Sequence, residues 1–108
     1  MTVRDFATGN SLEIASLPDP DREITGAYTG DLLSWVMGRA KEGDAWVTIM
    51  SNLNVIAVAT LTDVSCVILA EGVKLDGEVL KVVKEKGVNL LYSSLPSYET
   101  CILVQGAL

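Results

Sequence analysis

A chain of 108 residues supplies one hydrophobic core and no second one, so we expect a single domain over residues 1–108. Its net charge of −6, with no basic stripe, disfavours nucleic-acid binding, and no apolar stretch is long enough to suggest membrane insertion. Because the first residues do not resemble a secretory signal, we expect a cytoplasmic protein. Histidine is absent and Cys66 and Cys101 lie far apart, so we expect free thiols and neither a metal site nor a cofactor.

The amino-terminal residues predict short elements joined by turns. Thr2 is a suitable N-cap for a helix over residues 2–8, and weak alternation over residues 12–15 predicts a first strand. Pro18 and Pro20 mark an exposed loop, because proline fixes φ and lacks an amide donor. A second short strand is predicted over residues 24–28.

A helix is predicted after the second strand. Apolar residues recur there at the i, i+3, i+4, i+7 spacing of one inward helical face: Leu33, Val36, Met37 and Ala40. We expect Asp31 to satisfy free amides at the start of this helix, and Gly43 to end it in the left-handed conformation.

Strands and helices then alternate to the end of the chain. Strands are predicted over residues 45–50, 66–70 and 88–92, and helices over 53–61, 77–86 and 97–103, with Asp76 as an N-cap. The helix over 53–61 is apolar nearly all round, so it should be buried on most sides. Short connections between alternating elements are typical of βαβ units. The sequence therefore predicts an α/β fold with three α/β/α layers and a mostly parallel sheet.

Four blocks of sequence, followed by the Gly87 turn and the strand after it, carry a family resemblance that covers almost the whole chain. They are Asp21-Arg22-Glu23-Ile24-Thr25-Gly26, Asp31-Leu32-Leu33-Ser34-x-Val36-Met37, Gly43-Asp44-x-Trp46-x-Thr48 and Asn54-Val55-Ile56-Ala57-Val58-Ala59. In this order they resemble the DRTGG domain family, which is similar to the N-terminal, non-kinase domain of HPr kinase/phosphorylase. Members also occur beside phosphotransacetylase and CBS domains. The resemblance implies a three-layer α/β/α domain with a regulatory role.

The chain departs from the family pattern at two positions. Ala27 stands where a second glycine is expected, and Asn52 stands where a histidine is frequent. If the glycine pair allows a backbone to approach a ligand closely, Ala27 weakens that approach. If the histidine that is frequent in the family binds a ligand, this chain lacks that contact.

No residue is predicted to be catalytic. Phosphoryl transfer requires a phosphate cradle and carboxylates for magnesium, and the sequence has neither Gly-x-x-x-x-Gly-Lys-Ser/Thr nor Gly-x-Gly-x-x-Gly. We therefore do not expect an enzyme. The serine-kinase description that some family members carry is retained as a weak alternative.

Two groups of residues are candidate ligand contacts. Four polar residues cluster at the carboxyl end of a predicted strand, where α/β sheets usually bind ligands, and suit a small anion or nucleotide: Thr48, Ser51, Asn52 and Asn54. Arg22, in the proline-rich loop, suits an anionic ligand or a partner's carboxylate. Each group has a structural alternative, which is helix capping and turn formation for the cluster and an ion pair within the loop for Arg22.

An interface is predicted on the helix that follows Asp31. Leu32, Trp35 and Arg39 form a stripe away from its inward face, and an aromatic with apolar neighbours outside the core is typical of interfaces. The alternative is that Trp35 is buried beneath another element of the same chain. We therefore expect a non-catalytic regulatory or interaction module, either a homodimer or bound to a protein partner. The alternative is a domain that senses a nucleotide or metabolite for a separate enzyme.

Overall fold

The structure is a computed structural model that describes residues 1–108. Five helices and five strands follow one another in the order α1 (Val3–Gly9), β1 (Glu13–Ser16), β2 (Gly26–Thr29), α2 (Leu33–Arg39), β3 (Asp44–Thr48), α3 (Asn54–Thr62), β4 (Cys66–Leu69), α4 (Gly77–Glu85), β5 (Leu90–Tyr92) and α5 (Ser97–Gln105). Each element predicted from the sequence is present, and except at the carboxyl end of α2 the ends are shifted by no more than two residues. None of these helices combines the length and apolar character that a membrane span requires.

The five strands form one sheet in the order β1-β5-β4-β3-β2. Strands β2 to β5 are parallel to one another, and β1 pairs with β5 in the antiparallel direction. The helices α2, α3 and α4 each connect one parallel strand to the next, which makes three consecutive βαβ units. The predicted three-layer α/β/α fold with a mostly parallel sheet is therefore confirmed. The carboxyl ends of β2 to β5 consequently meet at one edge of the sheet.

The hydrophobic core of this single domain consists of two clusters, one on each face of the sheet. On one face, α2, α3 and α4 pack on strand residues that include Trp46, Val67 and Leu90. On the other face, α1 and α5 pack on alternate residues that include Val47 and Ile68. Because successive side chains of a strand point to opposite faces, a central strand covered on both sides needs a continuous apolar run.

The residues that begin and end the helices were predicted correctly at some helix ends and wrongly at others. The Thr2 hydroxyl accepts a hydrogen bond from the Asp5 amide, and Asp76 Oδ1 accepts one from the Val79 amide at 2.9 Å, as predicted for two N-caps. The prediction that Gly43 ends α2 is wrong. The helix ends at Arg39, and Gly43, with φ of 84°, belongs to the turn before β3.

Two helices are more exposed than the sequence indicates. In α2 only Val36 is buried, and Met37, which was expected to face inward, lies largely in solvent. The prediction that α3 is buried on most sides is also wrong, because Leu53, Ala57 and Leu61 line one open side of it. An apolar pattern does not reveal whether a neighbouring element covers each side of a helix.

Candidate functional site

The predicted polar cluster lies at the carboxyl edge of the sheet, at the end of β3. Thr48 is its last strand residue, and its hydroxyl donates a hydrogen bond to Asp31 Oδ1 at 2.8 Å. The Ile49 amide donates to the same oxygen at 3.0 Å, and the Met50 amide donates to Thr48 Oγ1 at 3.2 Å. The expectation that Asp31 caps α2 is therefore wrong. Its carboxylate ties the loop after β2 to the end of β3.

The other three residues of the cluster lie beside the first turn of α3. Asn52 Oδ1 accepts a hydrogen bond from the Asn54 amide at 2.9 Å, so Asn52 stabilises the turn that leads into α3, as the turn-forming alternative predicts, whereas the N-cap Leu53 makes no side-chain hydrogen bond. The side chains of Asn52 and Asn54 are exposed, and Ser51 is half-buried. The structure thus brings Thr48, Ser51, Asn52 and Asn54 to one place. The neighbouring Asp31 carboxylate makes this place more favourable for a neutral or cationic group than for an anion.

A second polar site, also at the carboxyl edge of the sheet, was not predicted from the sequence. It is a cleft of about 390 Å³ between the end of β5, the start of β1 and the turn after β4, and we call it the Lys74 cleft. Lys74 Nζ lies 5.4 Å from the centre of the Tyr92 ring and 2.9 Å from Glu13 Oε1. The antiparallel pairing of Glu13 with Tyr92 brings these groups together. Glu13 and Lys74 are 61 residues apart in the chain, so no local motif indicates the cleft.

Two titratable groups have shifted pKa values. A hydrogen bond from Lys74 to Glu13, together with the charge of that carboxylate, raises the pKa of Lys74. The lysine is therefore a cation at neutral pH. Burial raises the pKa of the Cys66 thiol to about 12, against a weaker opposing hydrogen bond from Ser65. This thiol remains protonated and cannot act as a nucleophile at neutral pH. No cluster of three potential metal-ligating side chains is present.

Arg22 lies at the amino edge of the sheet, opposite the polar cluster. Its Nη1 donates to Asp63 Oδ1 at 3.0 Å, and its Nη2 donates to the Asp63 carbonyl oxygen at 2.9 Å. Asp63 follows the last turn of α3, so the guanidinium also neutralises the negative end of that helix. The structure therefore gives Arg22 a partner within the chain and does not bring it to the other candidate ligand contacts.

At two glycines within the four blocks of family resemblance, a side chain would clash with a neighbouring residue. A Cβ atom at Gly26 would lie 2.5 Å from Asp44 Oδ1, and one at Gly43 would overlap the Thr25 hydroxyl. Gly43 also has a positive φ, which a residue with a side chain adopts at a cost. These glycines allow the start of β2 to pack closely on the start of β3. The close backbone approach that these glycines allow is therefore between two segments of this chain, rather than between the chain and a ligand.

The predicted interface residues are exposed on α2. Leu32 is 58% exposed and Trp35 is 52% exposed, and the Arg39 guanidinium lies 3.9 Å from the centre of the Trp35 ring. We call Leu32, Trp35 and Arg39 the α2 surface. Its residues are adjacent, as the helical spacing predicts, and their role as an interface remains a prediction.

The fold and its polar carboxyl edge define this protein as a small three-layer α/β/α domain. A family model described as the DRTGG domain matches residues 29–107, and the chain therefore belongs to the DRTGG domain family. The matched range confirms the resemblance and excludes the block at residues 21–26.

A solved structure has a similar fold. It contains the CBS and DRTGG domains of the regulatory region of Clostridium perfringens pyrophosphatase, complexed with the activator diadenosine tetraphosphate. The TM-score is 0.74 at 14% sequence identity, and the match covers 96% of this chain and 46% of that chain. This chain therefore spans less than half of that regulatory region, and the likeness concerns the fold alone. No curated protein matches the sequence significantly.

Proposed function

We propose that this chain is a non-catalytic regulatory or interaction module that self-associates. The α2 surface is the observation that carries the proposal. Only Val36 of α2 is buried, whereas Leu32 and Trp35 are more than half exposed. Tryptophan and arginine are the residues most enriched at the energetic centres of interfaces, and here they are stacked on each other.

The shortness of α2 also supports a partner at this surface. The helix has seven residues, and isolated helices of this length are unstable in water. Its Leu32 N-cap makes no side-chain hydrogen bond, so the first turn lacks the usual local support. Covering Leu32 and Trp35 with another chain would remove apolar surface from water and stabilise the helix.

Sedimentation velocity tests self-association. We expect the parent to sediment as a dimer at micromolar concentration, and Trp35→Ala to weaken the dimer at least about tenfold. Leu61→Ala is the matched control, because Leu61 is 71% exposed and lies on the open side of α3 next to α4. The proposal of self-association fails if the parent is a monomer at about 100 μM, where even weak specific dimers form.

The second candidate function is the sensing of a small anionic ligand in the Lys74 cleft. A volume of about 390 Å³ lies within the range of small-molecule sites. Lys74 offers a cation and Tyr92 an aromatic ring, which together suit a phosphate attached to a flat base. An anion there would compete with Glu13 for Lys74. The nucleotide bound by the similar regulatory region supports nucleotides as the first ligands to test.

Calorimetry with AMP, ATP and diadenosine tetraphosphate tests this second candidate. We expect heat with at least one nucleotide and a loss of at least about tenfold in affinity for Lys74→Ala, because a charge-assisted contact is removed. Lys84→Ala is the control, since Lys84 is an exposed cation on α4 outside the cleft. No heat with any of the three, or equal affinity in both variants, would exclude ligand sensing by this cleft.

A further inference from the structure

We propose that β2 pairs in the antiparallel direction with β2 of a second copy of this chain, which joins two sheets into one. The inference rests on the self-association proposed above and names the element that pairs. An edge strand is self-complementary in this arrangement, because its free amides and carbonyls meet those of its copy across a two-fold axis.

The outer backbone of β2 is available for such pairing. β2 is the last strand of the sheet, with β3 on one side and no strand on the other. The Gly30 amide donates to the Val47 carbonyl at 3.2 Å, and Thr29 is the residue paired with Val47, so the backbones of Tyr28 and Gly30 are directed towards β3. Ala27 and Thr29 therefore direct their amides and carbonyls outward, away from the sheet.

Nothing in the sequence of this edge opposes pairing. Residues 24–30 contain no charged residue and no proline, which are the usual devices that protect an edge strand. The β2–β3 register is also continuous from Gly26 to Thr29, without a bulge. The exposed Ala27 side chain is small enough to admit a second strand.

The charges next to β2 are mixed in sign at its amino end. Lys41 and Glu42 both line the hollow there, and the exposed Asp31 follows the carboxyl end of the strand. Antiparallel pairing places the carboxyl end of one strand beside the amino end of the other. Each Asp31 would then lie near a lysine and a glutamate of the other copy, so these end charges do not by themselves oppose the pairing of the uncharged strands.

Both helical layers offer contact area beside this strand. Between β2 and α5 lies a mostly apolar hollow of about 190 Å³ lined by Ala27, Val47 and Cys101 among others, and the adjacent Ile102 is 52% exposed. On the other face, Arg39 of the α2 surface lines a hollow beside β2. A four-residue strand is too small for a stable interface, which needs about 1,200–2,000 Å² in total. The proposed dimer therefore also requires contacts from the helical layers on both faces of the sheet.

Sedimentation equilibrium with charged variants of the two edge strands tests the pairing. We expect the parent at twice the monomer mass of 11.5 kDa and Ala27→Lys at the monomer mass, because two lysines would meet at the axis. Ile14→Lys, which places the same charge on the exposed face of β1, is the control and should remain a dimer. Thr29→Lys repeats the test if Ala27→Lys does not fold.

Amide hydrogen exchange gives a second readout that a loss of stability would not imitate. The amides of residues 27 and 29 should be protected in the concentrated parent and unprotected in Ala27→Lys, while the core of β4 stays protected in both. A dimer that persists in Ala27→Lys and in Thr29→Lys overturns β2 pairing. If that dimer dissociates in Trp35→Ala, the proposed self-association stands, whereas a monomeric parent overturns both.

Discussion

The two edge strands of the sheet expose their backbones differently. β1 has an irregular register between Ile14 and Ser16, its Glu13 forms an ion pair with Lys74, and Pro18 follows it closely. β2 has a regular register and none of these features. Bulges, charges and prolines are how proteins prevent edge strands from pairing. The comparison teaches that this fold closes one edge of its sheet and leaves the other open to a partner.

The two thiols should differ in reactivity, because one lies beside the open edge strand β2 and the other lies in the centre of the sheet. Cys101 lines the hollow beside β2, whereas Cys66 is fully buried in β4 with its pKa raised to about 12. At pH 8 we expect a neutral thiol reagent to modify Cys101 at least roughly a hundredfold faster than Cys66, measured by mass spectrometry. Dimer formation should slow the Cys101 reaction, and Ala27→Lys should restore it. Equal rates for the two cysteines would contradict this placement.

Replacing Gly43 should weaken the attachment of β2 to β3. Gly43→Ala places a side chain at a positive φ and against the Thr25 hydroxyl, so we expect a loss of about 3 kcal/mol in the free energy of unfolding. Urea unfolding measures this loss. Gly9→Ala is the control, because no atom lies near its added Cβ and its φ is not positive. A loss below about 1 kcal/mol for Gly43→Ala would show that the close contact relaxes without cost.

Removing the Arg22 guanidinium should loosen the loop that precedes β2. Arg22→Ala breaks two hydrogen bonds to Asp63, so we expect a loss of about 1 kcal/mol in stability without a change in nucleotide binding. Arg4→Ala removes an exposed pair with Asp21 and should change stability by less than about 0.5 kcal/mol. Thermal unfolding and calorimetry provide the two measurements. Unchanged stability with lost binding would instead assign Arg22 to a ligand.

The ion pair at the protected edge should be visible in the titration of one lysine. Glu13 raises the pKa of Lys74, so the pair contributes to stability at neutral pH. That contribution is lost as the pH rises above the usual lysine pKa of about 10.4 and through the raised pKa of Lys74. NMR titration of the lysine side chains should show that Glu13→Gln lowers the pKa of Lys74. If Glu13→Gln left the pKa of Lys74 unchanged, the pair would be absent in solution.

Predictions from local sequence succeeded wherever the signal and its partner lie within a few residues. Asp76 caps α4 through the amide three residues ahead, and the continuous apolar run of β4 predicts a strand covered on both faces. Asn52 likewise stabilises the turn before α3 through an amide two residues ahead. Asp31 was misassigned because its partner Thr48 is 17 residues away, on a different strand.

The sequence by itself determined the alternation of strands and helices, since hydrophobic period and capping residues act over one or two turns of chain. It also predicted the exposed stripe of Trp35 and Arg39. Only the tertiary structure decided the strand order, which makes β1 and β2 the edges and forms the Lys74 cleft. Pairings such as Glu13 with Tyr92 join distant residues, and their energies depend on how the whole sheet assembles.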